Sequence, residues 1–150
     1  MKASLYTDGG ARGNPGPAGI GVVLLAEDGV LLGQLARSIG ETTNNVAEYS
    51  ALIAGLELAL DREVSDLDVY LDSELVVSQL KGEWKIKKDQ LRSLAARAEL
   101  LLNKFSSFSI NHVPRALNAD ADKLANQAMD AAAEGQQLSS ESVQQNLFEN

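Results

Sequence analysis

The stretch KASLYTDGGARGNPGPAGIGVVLLAEDGVLLGQLARSI, residues 2–39, decides the architecture. Residues 2–8 alternate apolar and polar side chains, the pattern of a strand ending at Asp8. Residues 9–17 are dense in Gly and Pro and read as a loop. Residues 18–27 and 30–39 are apolar segments separated by Asp28-Gly29, a dipeptide that marks a hairpin. The chain therefore opens with a three-stranded antiparallel meander.

Outward from this stretch the period changes. Thr42, Thr43, Asn44 and Asn45 precede VAEYSALIAGLELAL, in which Val46, Tyr49, Leu52, Ile53, Leu56 and Leu60 recur at helical spacing. Asn44 or Asn45 suits the N-cap of that helix. Residues 67–71 read as a fourth strand ending at Asp72, residues 73–80 as a short helix and residues 81–88 as a basic connector. A long helix over 89–104 carries Leu91, Leu94, Ala95, Ala98, Leu101 and Leu102 on one side. FSINHV (108–113) is a fifth strand stopped by Pro114, and residues 119–133 form a last helix that Gly135 can end. This order predicts an α/β fold, a five-stranded mixed sheet with helices packed on it. It is one domain over residues 1–133, followed by a polar, disordered tail over 134–150.

Composition bounds the function. The 150 residues carry 13 Lys and Arg against 21 Asp and Glu, a formal net charge of -8. The absence of Cys excludes disulfides, thiolate metal sites and a Cys nucleophile. The N-terminus has no apolar signal region, and no apolar run reaches the roughly 18 residues of a membrane span. The default expectation is a soluble cytoplasmic monomer. The acidity at first opposes a nucleic-acid partner.

Three acids stand where chemistry is usually found. Asp8 and Asp72 end strands, and Glu48 is placed in the first turn of the first long helix. Asp122, in the first turn of the last helix, is a fourth candidate. If strands one and four are neighbours, both Asp side chains converge and Glu48 approaches from the adjacent helix. Clustered carboxylates stay ionised only beside a cation. An all-oxygen donor set suits Mg²⁺ or Mn²⁺. Two such ions roughly 3.5–4 Å apart activate water and stabilise a leaving oxygen in phosphodiester cleavage. Taken singly, each acid has a plainer explanation, since first-turn acids favour the helix dipole and strand-end Asp residues cap turns.

Four segments together resemble ribonuclease H type 1: YTDGGARGNPGPAGIG (6–21), TTNNVAEYSAL (42–52), YLDSELVV (70–77) and VPRALNADADKLANQA (113–128). They occur in the family's order and lie within residues 2–133. The resemblance implies endonucleolytic cleavage of the RNA strand of an RNA–DNA hybrid with two divalent metal ions. It maps the family's metal-binding carboxylates onto Asp8, Glu48, Asp72 and Asp122. Asp122 is preferred over Asp120 because it stands in Ala121-Asp122-Lys123-Leu124-Ala125, the family's pattern for its last acid. It implies that Asp8 bridges both ions. Glu48 and Asp72 would hold the ion at the leaving oxygen, and Asp122 the ion that activates water.

The resemblance also places Asn14, Asn44 and Asn45, with backbone groups of Gly9, Gly10 and Arg12, against the 2′-hydroxyls that distinguish RNA. Thr43 would grip a DNA-strand phosphate. Trp84 lies among Lys81, Lys85, Lys87 and Lys88, a mixture that suits a nucleic-acid channel. The connector here is short where the best-known bacterial pattern has a long basic protrusion. Arg115 resembles the cation of a branch common in archaea and some bacteria, serving phosphate or product in place of a loop His. His112 belongs to the fifth strand, and Glu74 stands where other members have a Gln that contacts substrate. In the tail, Gln144-Gln145-Asn146-Leu147-Phe148 resembles the peptide by which bacterial replication proteins bind the sliding clamp, with Gln144, Leu147 and Phe148 as its defining residues.

Two other readings use the same residues: a catalytically weak hybrid- or RNA-binding module, and a related nuclease of the same superfamily. The intact carboxylate set argues against a binding module, because uncompensated carboxylates repel phosphate. Metal binding by the four acids, a tail holding Glu134, Glu141 and Glu149, and the basic segment 81–88 together reconcile the acidity with a nucleic-acid partner.

Overall fold

Strand β1 (Lys2–Ala11) runs through the interior of a mixed sheet in the computed structural model, which describes residues 1–142. It pairs antiparallel with β2 (Gly16–Ala26) and parallel with β4 (Asp66–Leu71). β3 (Leu31–Thr42) continues the meander beyond β2, and β5 (Ser107–His112) pairs parallel with β4 at the other edge. The first and fourth strands are thus neighbours, as convergence of Asp8 and Asp72 requires.

The strand alternation sorts β1 into two faces. Ala3, Leu5 and Thr7 are buried on the face covered by α1 (Asn44–Asp61), which sends Tyr49, Leu52 and Leu56 into the same core. Each fully buried Leu there stabilises the fold by about 1.5–3 kcal/mol. α2 (Glu74–Leu80) and α3 (Asp89–Leu102) extend that layer, with Leu91, Ala95, Ala98 and Leu102 turned inward. On the opposite face α4 (Ala119–Ala133), preceded by a 3₁₀ turn at Arg115–Asn118, packs across β2, β3 and β1.

α4 meets the sheet through small residues. Ala121, Ala125 and Ala128 are fully buried against β2. A Cβ at Gly21 would stand 2.1 Å from the Ala121 carbonyl oxygen and 2.6 Å from the Ala125 nitrogen. Gly21 is paired with Asp8, so this close approach brings the first turn of α4 beside that acid.

Several boundaries differ from the sequence reading. β1 and β2 run through much of the segment read as a loop, pairing Gly9 with Ile20, Gly10 with Gly19 and Ala11 with Ala18. Backbone hydrogen bonds make this ladder, and they need no side-chain alternation. A sixth strand, β6 (Ser139–Ser142), pairs antiparallel with the edge of β3 inside the segment expected to be a disordered tail. The Ser38 N–H donates to the Leu138 carbonyl, the Leu138 N–H donates to Ser38 Oγ, and the Gln137 side-chain amide donates to the Ser38 carbonyl. Glu141, counted with a detached tail, instead forms an ion pair with Arg62 at 2.8 Å. Gln144, Leu147 and Phe148 lie outside the described residues. No helix among the described residues is long and apolar enough to cross a membrane.

Candidate active site

Asp8 is followed on β1 by Gly9, and this glycine sets the distance between the sheet and α1. A Cβ at Gly9 would fall 2.2 Å from the Ala47 carbonyl oxygen, so no other residue permits the contact. The contact brings the Gly9 N–H onto Glu48 Oε1 at 2.5 Å. Glu48 lies beyond the first turn of α1, and its side chain is 7% exposed. Its place is therefore not explained by the helix dipole, contrary to the plainer reading of a first-turn acid. The N-cap is Thr43 rather than either Asn, because its side chain accepts from the Val46 N–H at 3.3 Å.

Asp8, Glu48 and Asp72 offer carboxylate oxygens that all lie within 4.8 Å of one another. Asp72 follows β4 directly, and parallel pairing of β1 with β4 aligns the two strand ends. Asp122 joins from α4, within hydrogen-bond reach of Asp8. Asp8 thus touches both Glu48 and Asp122 and is the hub of the group. Asp120 lines a different hollow, with Tyr6, Val23, Leu25 and Leu117.

Burial raises the Asp8 pKa well above the carboxylate range, and the charge of Glu48 raises it further. Burial also raises Glu48, against the opposing pull of hydrogen bonds from Asp8 and the Gly9 N–H. Carboxylates crowded this way ionise readily only when a cation sits among them. The donors are all oxygen, the set that hard divalent cations prefer. Asp8, Glu48 and Asp72 fit such a cation by chemistry and spacing, and Asp122 can contribute from the adjoining wall.

The acids line a cleft of about 410 Å³ together with Gly9, Gly10, Arg12, Asn44, Asn45 and Arg115. Asn14 lies behind this wall and accepts from the Asn44 N–H at 3.0 Å, while Asn44 Oδ1 accepts from the Ala11 N–H at 2.8 Å. Arg115, in the 3₁₀ turn, faces the carboxylates, whereas His112 is exposed at the end of β5 and is absent from the cleft wall. Trp84 is 45% exposed in the connector between α2 and α3 and is likewise absent from it.

Two supporting residues escaped the sequence reading. Asn118 is buried, and its amide donates to the Thr7 carbonyl at 2.9 Å and to Asp72 Oδ2 at 3.2 Å. It holds the Asp72 carboxylate toward β1 and makes no side-chain cap for α4. Ser73 accepts from the Val76 N–H at 3.3 Å as the N-cap of α2, and it is also a hydrogen-bond partner of Glu48. A Ser before a helical run is a cap signal legible in sequence; nothing local distinguishes Asn118 from an ordinary cap.

A family model described as reverse transcriptase-like matches residues 6–128. The chain is 48% identical over 135 residues to a bifunctional protein of Mycobacterium tuberculosis, covering 89% of this chain and 37% of that protein. It is 50% identical over 127 residues to the ribonuclease HI of Halobacterium salinarum, covering 85% of this chain and 64% of the relative. The chain therefore spans about a third to two thirds of the length of these curated relatives. The crystal structure of RNase H1 from that archaeon superposes with a TM-score of 0.86 at 48% identity, covering 88% of this chain and all of the other. LC11-RNase H1, solved in complex with an RNA/DNA hybrid, gives a TM-score of 0.81 at 45% identity, covering 87% of this chain and 98% of that one.

Proposed function

From the premise that the chain belongs to the type 1 ribonuclease H family, we propose that it hydrolyses the RNA strand of RNA–DNA hybrids as a divalent-metal-dependent endonuclease. The observation that carries this reading is the convergence of Asp8, Glu48 and Asp72 within 4.8 Å at the ends of two parallel strands. A relative of 45% identity is solved with an RNA/DNA hybrid, which supports the substrate class.

Asp8, Glu48, Asp72 and Asp122 would hold Mg²⁺ or Mn²⁺, two ions in the family's manner. Bound divalent ions supply Lewis acidity that lowers the pKa of water and neutralises a leaving oxygen. The protein does the remaining work. Asn118 fixes the Asp72 carboxylate, and the Gly9 N–H and Ser73 fix that of Glu48. Asn44 and Asn45 stand on the cleft wall, where an amide can meet a 2′-hydroxyl. Thr43, whose hydroxyl caps α1, would meet a DNA-strand phosphate, as the family resemblance implies. Arg115 provides a cation for phosphate on the side of α4. The lysines around Trp84 extend positive charge along the duplex backbone, so hybrid binding weakens as salt rises.

The deciding assay uses labelled RNA–DNA hybrid, duplex DNA and duplex RNA with Mg²⁺, Mn²⁺ or EDTA. Cleavage confined to the RNA strand of the hybrid and abolished by EDTA is expected. No hybrid cleavage with either metal refutes the reading and favours a binding module; cleavage of duplex DNA favours a different nuclease of the superfamily.

A further inference from the structure

Arg12 lies in the turn between β1 and β2, on the rim of the cleft, and its guanidinium is bonded to α4. Nη2 donates to Asp130 Oδ1 at 2.7 Å and to Asn126 Oδ1 at 2.9 Å, and Nε donates to Asp130 Oδ1 at 3.2 Å. The Asn126 amide donates in turn to the Asp122 carbonyl oxygen at 2.9 Å. Asp122, Asn126 and Asp130 are spaced four apart and form one ridge of the helix. On its other side the β1–β2 turn is tied to α1 through Asn14, Asn44 and the Ala11 N–H. One turn therefore joins the two helices that carry Glu48 and Asp122.

The need for such a tie follows from how α4 is seated. Ala121, Ala125 and Ala128 rest on Gly19 and Gly21, which allows close approach, and Ser38 Oγ donates to the Ala128 carbonyl at 2.9 Å near the far end of the helix from Asp122. Methyl groups on a flat glycine surface resist separation better than they resist rotation about the helix axis. A forked guanidinium supplies direction, because its donors are held in a plane.

We propose that Arg12 is a positioning residue that sets the rotation of α4, through Asn126 and Asp130, and thereby the approach of the Asp122 carboxylate to Asp8. The proposal rests on the functional reading above. It gives the Arg12 side chain a part in positioning a metal ligand, in contrast to the substrate-side role expected for its backbone.

The test titrates metal-free full-length protein with MgCl₂ while melting temperature is followed, and measures hybrid cleavage at limiting and saturating Mg²⁺. Arg12→Ala is expected to raise the Mg²⁺ midpoint by about five- to tenfold in both measurements, in the range of outer-shell effects on metal sites. The metal-free melting temperature should stay within about 3 °C, since the ion pair is exposed. Asp130→Ala should shift the Mg²⁺ midpoint in the same direction. Arg12→Lys should recover it in part, and the charge-reversed pair Arg12→Asp with Asp130→Arg should recover most of it. A raised hybrid KM with unchanged Mg²⁺ midpoints would overturn the proposal and make Arg12 a phosphate contact. A charge-reversed pair no better than Arg12→Ala, or a metal-free melting temperature lowered by more than about 10 °C, would also overturn it. If wild type cleaves no hybrid, the functional reading fails, while the Mg²⁺-dependent melting still decides the role of Arg12.

Discussion

Replacing Asp8 by Asn should abolish hybrid cleavage and, without metal, make the protein more stable. Asp8, Glu48 and Asp72 present oxygens within 4.8 Å of one another. At an effective dielectric of about 20, two carboxylate charges at that separation repel by about 3 kcal/mol. Burial, and then this repulsion, raise the Asp8 pKa above neutrality in the folded protein, while the unfolded chain keeps a value near 4. A raised folded-state pKa contributes its stability fully below the unfolded value and loses it as pH climbs toward the folded value. The loss is about 1.4 kcal/mol per pH unit for one proton, with a ceiling of about 4 kcal/mol between pH 4 and pH 7. The two routes put the gain from Asp8→Asn at about 3–4 kcal/mol near pH 7, or about 10 °C in melting temperature. Urea unfolding in EDTA at about pH 4.5 and pH 7.5 measures it. The variant should match wild type at the lower pH and exceed it at the higher. Added Mg²⁺ should close the gap by stabilising wild type alone. Equal stability at the higher pH, or the same advantage at both, would refute the electrostatic reasoning.

Asn118→Ala should cost about 1–3 kcal/mol by leaving the buried Thr7 carbonyl unpaired, and it should raise the Mg²⁺ requirement by freeing Asp72; unfolding curves and a Mg²⁺ titration check both. Gly9→Ala should destabilise by about 1–3 kcal/mol, because its Cβ would collide with the Ala47 carbonyl, and should lower cleavage by displacing Glu48. Asp122→Asn should lose hybrid cleavage, whereas Asp120→Asn should keep it, since Asp120 lines a separate hollow; one gel assay compares the two. The tail should capture the bacterial sliding clamp in a pull-down, and Leu147→Ala with Phe148→Ala should abolish capture if those residues are its anchors.

Much of the fold is legible because its core obeys simple periods. The α1 segment repeats apolar residues at helical spacing, and β1 and β4 read as short strands each running up to an Asp. The strand extensions at Gly9–Ala11 and Gly16–Pro17 are hidden, because Gly and Pro signal loops locally while the sheet uses their backbone groups. β6 is hidden for the opposite reason. Its Ser-rich sequence has no apolar face, and it is held by the open edge of β3 and by Arg62, just past the end of α1.

The sequence by itself determined which groups are available: four acids in the motifs of one family, no thiols, and glycines beside the first acid. Tertiary structure decided which groups work together. Gly9 brings Glu48 to the sheet, Gly21 lets α4 carry Asp122 beside Asp8, and Asn118 is spent on Asp72 instead of its own helix. The physical reason is separation along the chain. Asn118 meets the Thr7 carbonyl across 111 residues, and Arg12 meets Asp130 across 118. Such contacts follow from the stacking of helices on a sheet, and no local window of sequence contains both partners.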